Sequence, residues 1–188
     1  MSLRGSVGPW LVGGSVRVHV GAGGDPNADH QRTEKRFDWL NAKAGEHGIQ
    51  GPIIVTGWSA GGHLTSFIID HPKVAAGLAI SGVFDLGALR DSPHVNDKVK
   101  LSEREIQNLS PMRRPIVNKP LGLAYGTGEL PAMIASSRDY HAYRSLGHVP
   151  GDLIPIANTN HFTILDELRQ PNSTLTRAVI AMAEYQTV

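Results

Sequence analysis

Apolar and polar positions along this chain follow two alternating patterns. Short apolar or β-branched runs bounded by glycine, proline or polar residues predict strands, at 15–20, 51–57, 74–83, 120–128 and 151–158. Stretches with apolar residues at helical spacing lie between and after them, at 31–47, 60–70, 102–108, 132–147 and 174–185. Strands that alternate with helices predict a mostly parallel sheet flanked by helices, so the expected fold class is α/β.

The stretch 132–147 shows how helical spacing assigns a buried face. Met133, Ser137, Tyr140 and either Ala142 or Tyr143 recur at helical spacing and are expected to face the core. The glycine-rich stretch at 21–30 is predicted to be a loop. Because no internal repeat or low-complexity linker interrupts the chain, we expect one domain over 1–188, in which 85–118 forms a cap or insertion.

Composition narrows the classes of partner. The 188 residues carry a formal net charge of +1 with no charged block, so we expect neither a nucleic-acid nor a membrane partner. Cysteine is absent, which excludes disulfides and thiolate metal sites. The longest nearly uninterrupted apolar run, 74–84, is too short to span a bilayer. Since residues 1–18 lack the apolar core of a signal peptide, a cytoplasmic location is expected.

Ser59 is the first candidate for chemistry, in the pentapeptide GWSAG between a predicted strand and a predicted helix. In that context G-x-S-x-G forms a sharp turn that exposes a nucleophilic serine. Gly57 and Gly61 are expected to prevent collisions there, and the Ala60 N–H is expected to stabilise an oxyanion. The alternative for Ser59 is a structural role as a helix N-cap. Trp58 is expected either to line a pocket or to be an ordinary buried aromatic.

His161 is the best-placed candidate base among nine histidines. It follows the last predicted strand in a polar turn, at the sheet edge where ligands gather in open α/β sheets. A histidine there can take the serine proton, although a solvent-facing or capping histidine is the alternative. His63 lies one helical turn after Ser59 and is expected to pack or to cap.

Two carboxylates are candidates for the acid that orients this histidine. Glu129 directly follows the strand at 120–128 and precedes His161, which gives the order serine, acid, histidine. Asp85 lies one strand earlier and is the rival. We favour Glu129, because its loop is expected to neighbour the His161 loop in the sheet.

With these residues in place, the chain resembles the kynurenine formamidase (arylformamidase) and carboxylesterase branch of the α/β-hydrolases. The resemblance is carried by six motifs in the family's order: GWSAGGHL at 57–64, ISGVFDL at 80–86, LSP at 109–111, GTGE at 126–129, SRDY at 137–140 and NHFTILDEL at 160–168. The resemblance implies that Ser59 is the nucleophile, His161 the base and Glu129 the acid. It further implies hydrolysis of small aryl formamides or carboxylic esters, with no metal or organic cofactor.

The chain departs from this family in its first part. Relatives carry an H-G-G loop that supplies oxyanion N–H groups, and nothing in this sequence matches it. We therefore expect the first strands and that loop to be absent here, through an N-terminally shortened fold or an incomplete gene model. A glycine nest at 21–25 is the predicted substitute donor, and Gly23→Val or Gly24→Val would test it. Ala132 stands where relatives often have a second acidic residue.

This departure keeps a second function open. A shortened α/β-hydrolase with little activity would act as a binding or assembly module, or have no function. An exposed sheet edge would also favour association, so a homodimer is expected to be accessible.

Overall fold

The computed structural model describes residues 51–90 and 100–185, together with 35, 38, 39, 42–47 and 97. Its sheet has four strands: β1 (Ile53–Trp58), β2 (Val74–Ile80), β3 (Leu121–Gly126) and β4 (Leu153–Ile156). They lie in the order β1-β2-β3-β4, and every neighbouring pair is parallel. The predicted α/β class with a parallel sheet is confirmed.

Helices occupy the segments between and after these strands. The α-helices are α1 (Ala60–Ile68), α2 (Gly87–Arg90), α3 (Glu103–Leu109), α4 (Pro131–Ser145) and α5 (Thr174–Tyr185). Three 3₁₀ helices span Ala44–His47, Pro111–Arg113 and Thr163–Arg169. In the part of the chain that is described, no helix combines the length and apolar character needed to cross a membrane.

Both faces of the sheet are buried, which explains why the strands are almost continuously apolar. Ala79 of β2 joins the core cluster that includes Tyr140 of α4. Its neighbours Leu78 and Ile80 point to the other face and join the cluster that includes Leu175 of α5. Successive side chains of β2 thus point alternately into two apolar layers, one on each face of the sheet.

Most predicted elements are present, with shorter strands than the pattern predicts. The run at 74–83 forms a strand only to Ile80, because Ser81 has φ 50°, in the left-handed region. The run at 151–158 is cut at both ends, by Gly151 at φ 153° and Asn158 at φ 58°. Helix α5 has the predicted bounds. Helix α1 ends two residues before the predicted end.

The first predicted elements are only partly described. Residues 35, 38, 39, 42 and 43 are helical, in agreement with the helix predicted at 31–47. The predicted strand at 15–20 and loop at 21–30 lie outside the described residues.

Helix α4 buries one residue that the pattern did not indicate. Ser137 and Tyr140 are buried as predicted, and Ala142 is exposed. Arg144 is buried as well, where its Nη2 donates to the carbonyl oxygen of Lys119 at 2.7 Å. A buried guanidinium needs such acceptors. The buried face of α4 therefore contacts both apolar side chains and a loop carbonyl oxygen.

The described residues of the segment 85–118 form a small core beside helix α1. Leu101, Ile106 and Leu109 pack there with Phe67 of α1. Arg114 lies over the Phe67 ring, 3.9 Å from its centroid. These contacts place the segment against the later half of α1, and a cap over the candidate site stays a prediction.

Candidate active site

Ser59 lies in a strained turn between β1 and α1. Its φ of 57° and ψ of −118° lie in a region that non-glycine residues rarely occupy. The Ser59 N–H donates to the carbonyl oxygen of Ile80 at 2.9 Å, which holds the turn against β2. Although Ser59 occupies the N-cap position of α1, its side chain makes no capping hydrogen bond. Ser59 thus has the N-cap position that the alternative predicted, without the side-chain hydrogen bond by which a serine caps a helix.

The glycines of the turn do not all serve the predicted purpose. A Cβ added at Gly57 would lie 2.3 Å from the carbonyl oxygen of Gly61, so only glycine fits there. A Cβ at Gly61 would meet nothing within 4 Å, and the prediction that Gly61 prevents a collision is wrong. Gly62 takes that part instead, because its Cβ would lie 2.8 Å from the carbonyl oxygen of Ile80.

His161 follows β4 and reaches the serine. Its Nε2 lies 3.1 Å from Ser59 Oγ. The loop is fixed by Asn160, whose side-chain oxygen accepts from the N–H groups of Phe162 and Thr163 at 2.9 and 3.0 Å. These bonds hold the start of the 3₁₀ helix Thr163–Arg169.

Glu129 follows β3 and lies on the other side of the imidazole. Its Oε2 is 3.3 Å from His161 Nδ1. The Glu129 side chain is 0% exposed, against 26% for His161. Its Oε1 accepts from Ser81 Oγ at 2.5 Å and from the Gly126 N–H at 2.8 Å. A buried carboxylate is stable only with such donors, so the acid is held at both oxygens.

Ser81 is the residue at this site that the sequence analysis did not select. It follows β2, is fully buried and, like Ser59, has a positive φ, of 50°. Its available signal was its place, a serine near the carboxyl end of the strand predicted at 74–83, the next strand along the chain after Ser59. Each of the four strands thus contributes the residue or loop that follows it to one polar cluster.

The loops that carry Glu129 and His161 are hydrogen-bonded to each other. The Thr127 N–H donates to the carbonyl oxygen of Ile156 at 3.0 Å, and the Gly128 N–H to that of Thr159 at 2.8 Å. In return, the Asn158 N–H donates to Thr127 Oγ1 at 3.1 Å. Because β3 and β4 are neighbours, these bonds extend the sheet contact beyond the strand ends.

Asp85, the rival acid, is engaged elsewhere. Its carboxylate pairs with Arg113 Nη2 at 3.0 Å and accepts from the Gly87 N–H at 2.9 Å. Both contacts lie within 85–118, and the structure does not bring Asp85 to His161. The alternative prediction, that Asp85 is the carboxylate beside His161, is therefore wrong.

His63 is half-buried and packs against its neighbours, as the sequence suggested. Its Nδ1 donates to the carbonyl oxygen of Val83 at 3.0 Å, and its ring stacks near Phe67. Burial lowers the pKa of His63, and the nearby Arg114 charge lowers it further, against the opposing effect of the Val83 carbonyl. His63 is thus a neutral structural histidine near pH 7.

The side chain of Trp58 contacts His161. Its Nε1–H donates to the main-chain oxygen of His161 at 2.6 Å, and the two ring centroids are 4.9 Å apart. Phe162, which is 70% exposed, packs its ring at 81° to the imidazole. Whether Trp58 lines a substrate pocket stays a prediction.

The Ala60 N–H, the predicted oxyanion donor, lies at the start of a helix directly after the serine. Ala60 is the first residue of the nine-residue helix α1, so its N–H has no partner within the helix. The helix dipole adds positive potential at the same point. The glycine nest predicted at 21–25 lies outside the described part of the chain. Among the residues that are described, no cluster of three or more His, Cys, Asp or Glu fits a metal ion.

Comparison with solved structures defines the class of fold. A truncated form of a carbohydrate esterase from gut microbiota superposes with a TM-score of 0.72 at 13% identity, over 86% of this chain and 69% of that one. An arylesterase superposes with a TM-score of 0.65 at 17% identity, over 89% of this chain and 62% of that one. The protein has the α/β-hydrolase fold.

Sequence comparison narrows the resemblance. The chain is 23% identical over 144 residues to the kynurenine formamidase of Danio rerio and 26% identical over 147 residues to that of Salmo salar. Each alignment covers 69% of this chain and 49% of the relative, so the chain spans about half the length of these curated relatives. This similarity confirms the resemblance that the motifs predicted. No protein-family model matches the sequence.

Proposed function

We propose that this chain is a serine hydrolase that cleaves small carboxylic esters or aryl formamides through an acyl-enzyme on Ser59. One observation carries the proposal. Ser59 Oγ, the His161 ring and the Glu129 carboxylate form a continuous chain of contacts, at 3.1 and 3.3 Å. This is the order and geometry of a nucleophile, its base and the acid that orients the base.

The acid determines which imidazole nitrogen is free. An ionised Glu129 only accepts hydrogen bonds, so the proton of neutral His161 resides on Nδ1. The lone pair on Nε2 then accepts the Ser59 hydroxyl proton at 3.1 Å. Glu129 also stabilises the imidazolium that forms.

The reaction then proceeds in two acyl transfers. Ser59 Oγ attacks the carbonyl carbon while its proton moves to His161 Nε2, which gives a tetrahedral oxyanion. The imidazolium returns the proton to the leaving alkoxide or amine as the bond to the leaving group breaks. Water attacks the acyl-enzyme, again giving its proton to Nε2, and Ser59 leaves with that proton as the acid is released.

The Ala60 N–H and the start of α1 would stabilise the oxyanion in both steps. Removing one such donor typically raises the barrier by about 2.7–4 kcal/mol, so this amide is expected to matter for rate. None of these steps requires a metal or an organic cofactor.

The substrate class is supported by the relatives. Kynurenine formamidases in two fishes and solved esterases share sequence or fold with this chain. These names denote hydrolysis of a formamide or of an ester. The cluster of Ser59, His161 and Glu129 is suited to either reaction.

Labelling and turnover test the proposal together. A fluorophosphonate probe is expected to label Ser59, and p-nitrophenyl acetate is expected to be hydrolysed. Ser59→Ala should abolish both, whereas Ser145→Ala should leave both unchanged, since Ser145 is an exposed serine that bonds only the His141 carbonyl. A folded wild-type protein that takes no label would overturn the proposal and favour the binding-module alternative.

A further inference from the structure

Trp58 joins two parts of the site that the sheet leaves apart. Ser59 follows β1 and His161 follows β4, and two strands lie between them. Neighbouring strands are about 4.8 Å apart. No ladder hydrogen bond therefore sets the distance between the nucleophile and the base, and a contact outside the sheet has to do so.

The indole of Trp58 makes that contact. Trp58 is bonded to Ser59 through the main chain, and its Nε1–H donates to the main-chain oxygen of His161 at 2.6 Å. The indole ring also lies against the imidazole, with centroids 4.9 Å apart and planes at 39°. One side chain thus holds both the backbone and the ring of His161.

Phe162 restricts the imidazole from a second direction. Its ring lies 5.4 Å from that of His161 and 5.8 Å from that of Trp58. Of the aromatic side chains, only tryptophan offers a ring N–H donor together with a broad apolar face. A phenylalanine at residue 58 could pack on the imidazole but could not bond the His161 carbonyl.

We propose that Trp58 is a positioning residue, which holds His161 at hydrogen-bond distance from Ser59. The inference rests on the proposed function for its effect on rate, although the contact itself does not. The indole face also favours the imidazolium that forms during each acyl transfer, since aromatic faces attract cations. Trp58 acts through His161 and does not itself touch the reacting atoms.

Two substitutions test this role. Trp58→Phe keeps an aromatic ring and removes the donor, and is expected to lower both kcat and the rate of fluorophosphonate labelling about tenfold, with KM changed less than about twofold. Trp39→Phe is the matched control, because Trp39 is 60% exposed, and it should leave both rates unchanged. A rise in KM with unchanged kcat would overturn the inference and assign Trp58 to a substrate pocket.

A second measurement needs neither a variant nor activity. In the ¹⁵N-labelled wild-type protein, the Trp58 indole N–H is expected to exchange with solvent at least about tenfold more slowly than that of exposed Trp39, because it is hydrogen-bonded. Equally fast exchange would overturn the inference. Since this result stands even if the protein hydrolyses nothing, failure of the contact and failure of the proposed function can be told apart.

Discussion

The turn after β1 and the paired loops after β3 and β4 meet at one site, but different forces hold them. One main-chain hydrogen bond, from the Ser59 N–H to Ile80, and close backbone packing hold the turn, where the carbonyl oxygen of Gly61 leaves no room for a side chain at Gly57. Hydrogen bonds hold the loops, from the Gly128 N–H to Thr159 and from Asn160 to the residues that follow it. Backbone packing is thus the distinctive constraint at Ser59, and networks of polar partners are the distinctive constraint at Glu129 and His161.

This difference has consequences for what mutation can do. A residue positioned by shape fails when atoms are added, whereas a residue positioned by polar partners fails when a donor or acceptor is removed. The three predictions below apply both kinds of change, from the largest expected effect to the smallest.

Glu129→Gln is expected to have the largest effect. The Ser81 and Gly126 donors hold the amide oxygen, so the NH₂ group faces His161, donates to Nδ1 and favours the wrong tautomer. The value of kcat should therefore fall by roughly 10³ to 10⁴. Asp85→Asn is the control, because Asp85 pairs with Arg113 and lies apart from the cluster, and its kcat should stay within about twofold of wild type. Steady-state ester hydrolysis measures both. If Asp85→Asn lost as much activity as Glu129→Gln, the assignment of the acid would be wrong.

Two glycines of one pentapeptide provide the next contrast. Gly57→Ala places a Cβ 2.3 Å from a backbone oxygen and should lower the free energy of unfolding by about 3 kcal/mol. Gly61→Ala meets no atom within 4 Å and lies in helix α1, where alanine is better by up to about 1 kcal/mol. Urea unfolding measures both changes. Equal losses for the two variants would show that shape does not hold the turn.

Ser81→Ala removes one of two donors to Glu129 Oε1 and should give the smallest of the three effects. The unfolding free energy should fall by about 2 kcal/mol and kcat about tenfold, because the Gly126 N–H still binds the same oxygen. Ser137→Ala is the matched control. Ser137 is equally buried, and its hydroxyl has no hydrogen-bond partner among the described residues.

Replacing Ser137 should change the free energy of unfolding by less than about 1 kcal/mol and leave kcat at the wild-type value. A loss at Ser137 as large as that at Ser81 would mean that buried volume, and not the bond to Glu129, accounts for the effect.

The same contrast explains what the sequence could predict. The turn at Ser59 was predictable because its parts are contiguous, a strand, a glycine-bracketed serine and a helix. The support of Glu129 was not, since Ser81 lies 48 residues away and the bond depends on which strands become neighbours. The error at Gly61 has a similar origin, because a free Cβ position depends on the direction in which α1 leaves the turn.

The parallel architecture and the choice of Glu129 over Asp85 as the carboxylate beside His161 were within reach of pattern and order. The buried Arg144 and the contact of Trp58 with His161 were not, because each depends on a main-chain carbonyl oxygen from a distant segment. Apolar periodicity indicates which side chains leave water, but it carries no information about such acceptors.

Ser59 and Ser81 follow adjacent strands, each with a positive φ, and contact opposite ends of the His161–Glu129 pair. Together with the β1–β2 ladder, the four side chains close a ring. In evolutionary terms, a ring restricts insertions and deletions: a change of length in the β3 loop would have to be matched in the β4 loop. We therefore expect these two loops to vary together as the protein diverges, while segment 85–118 varies independently.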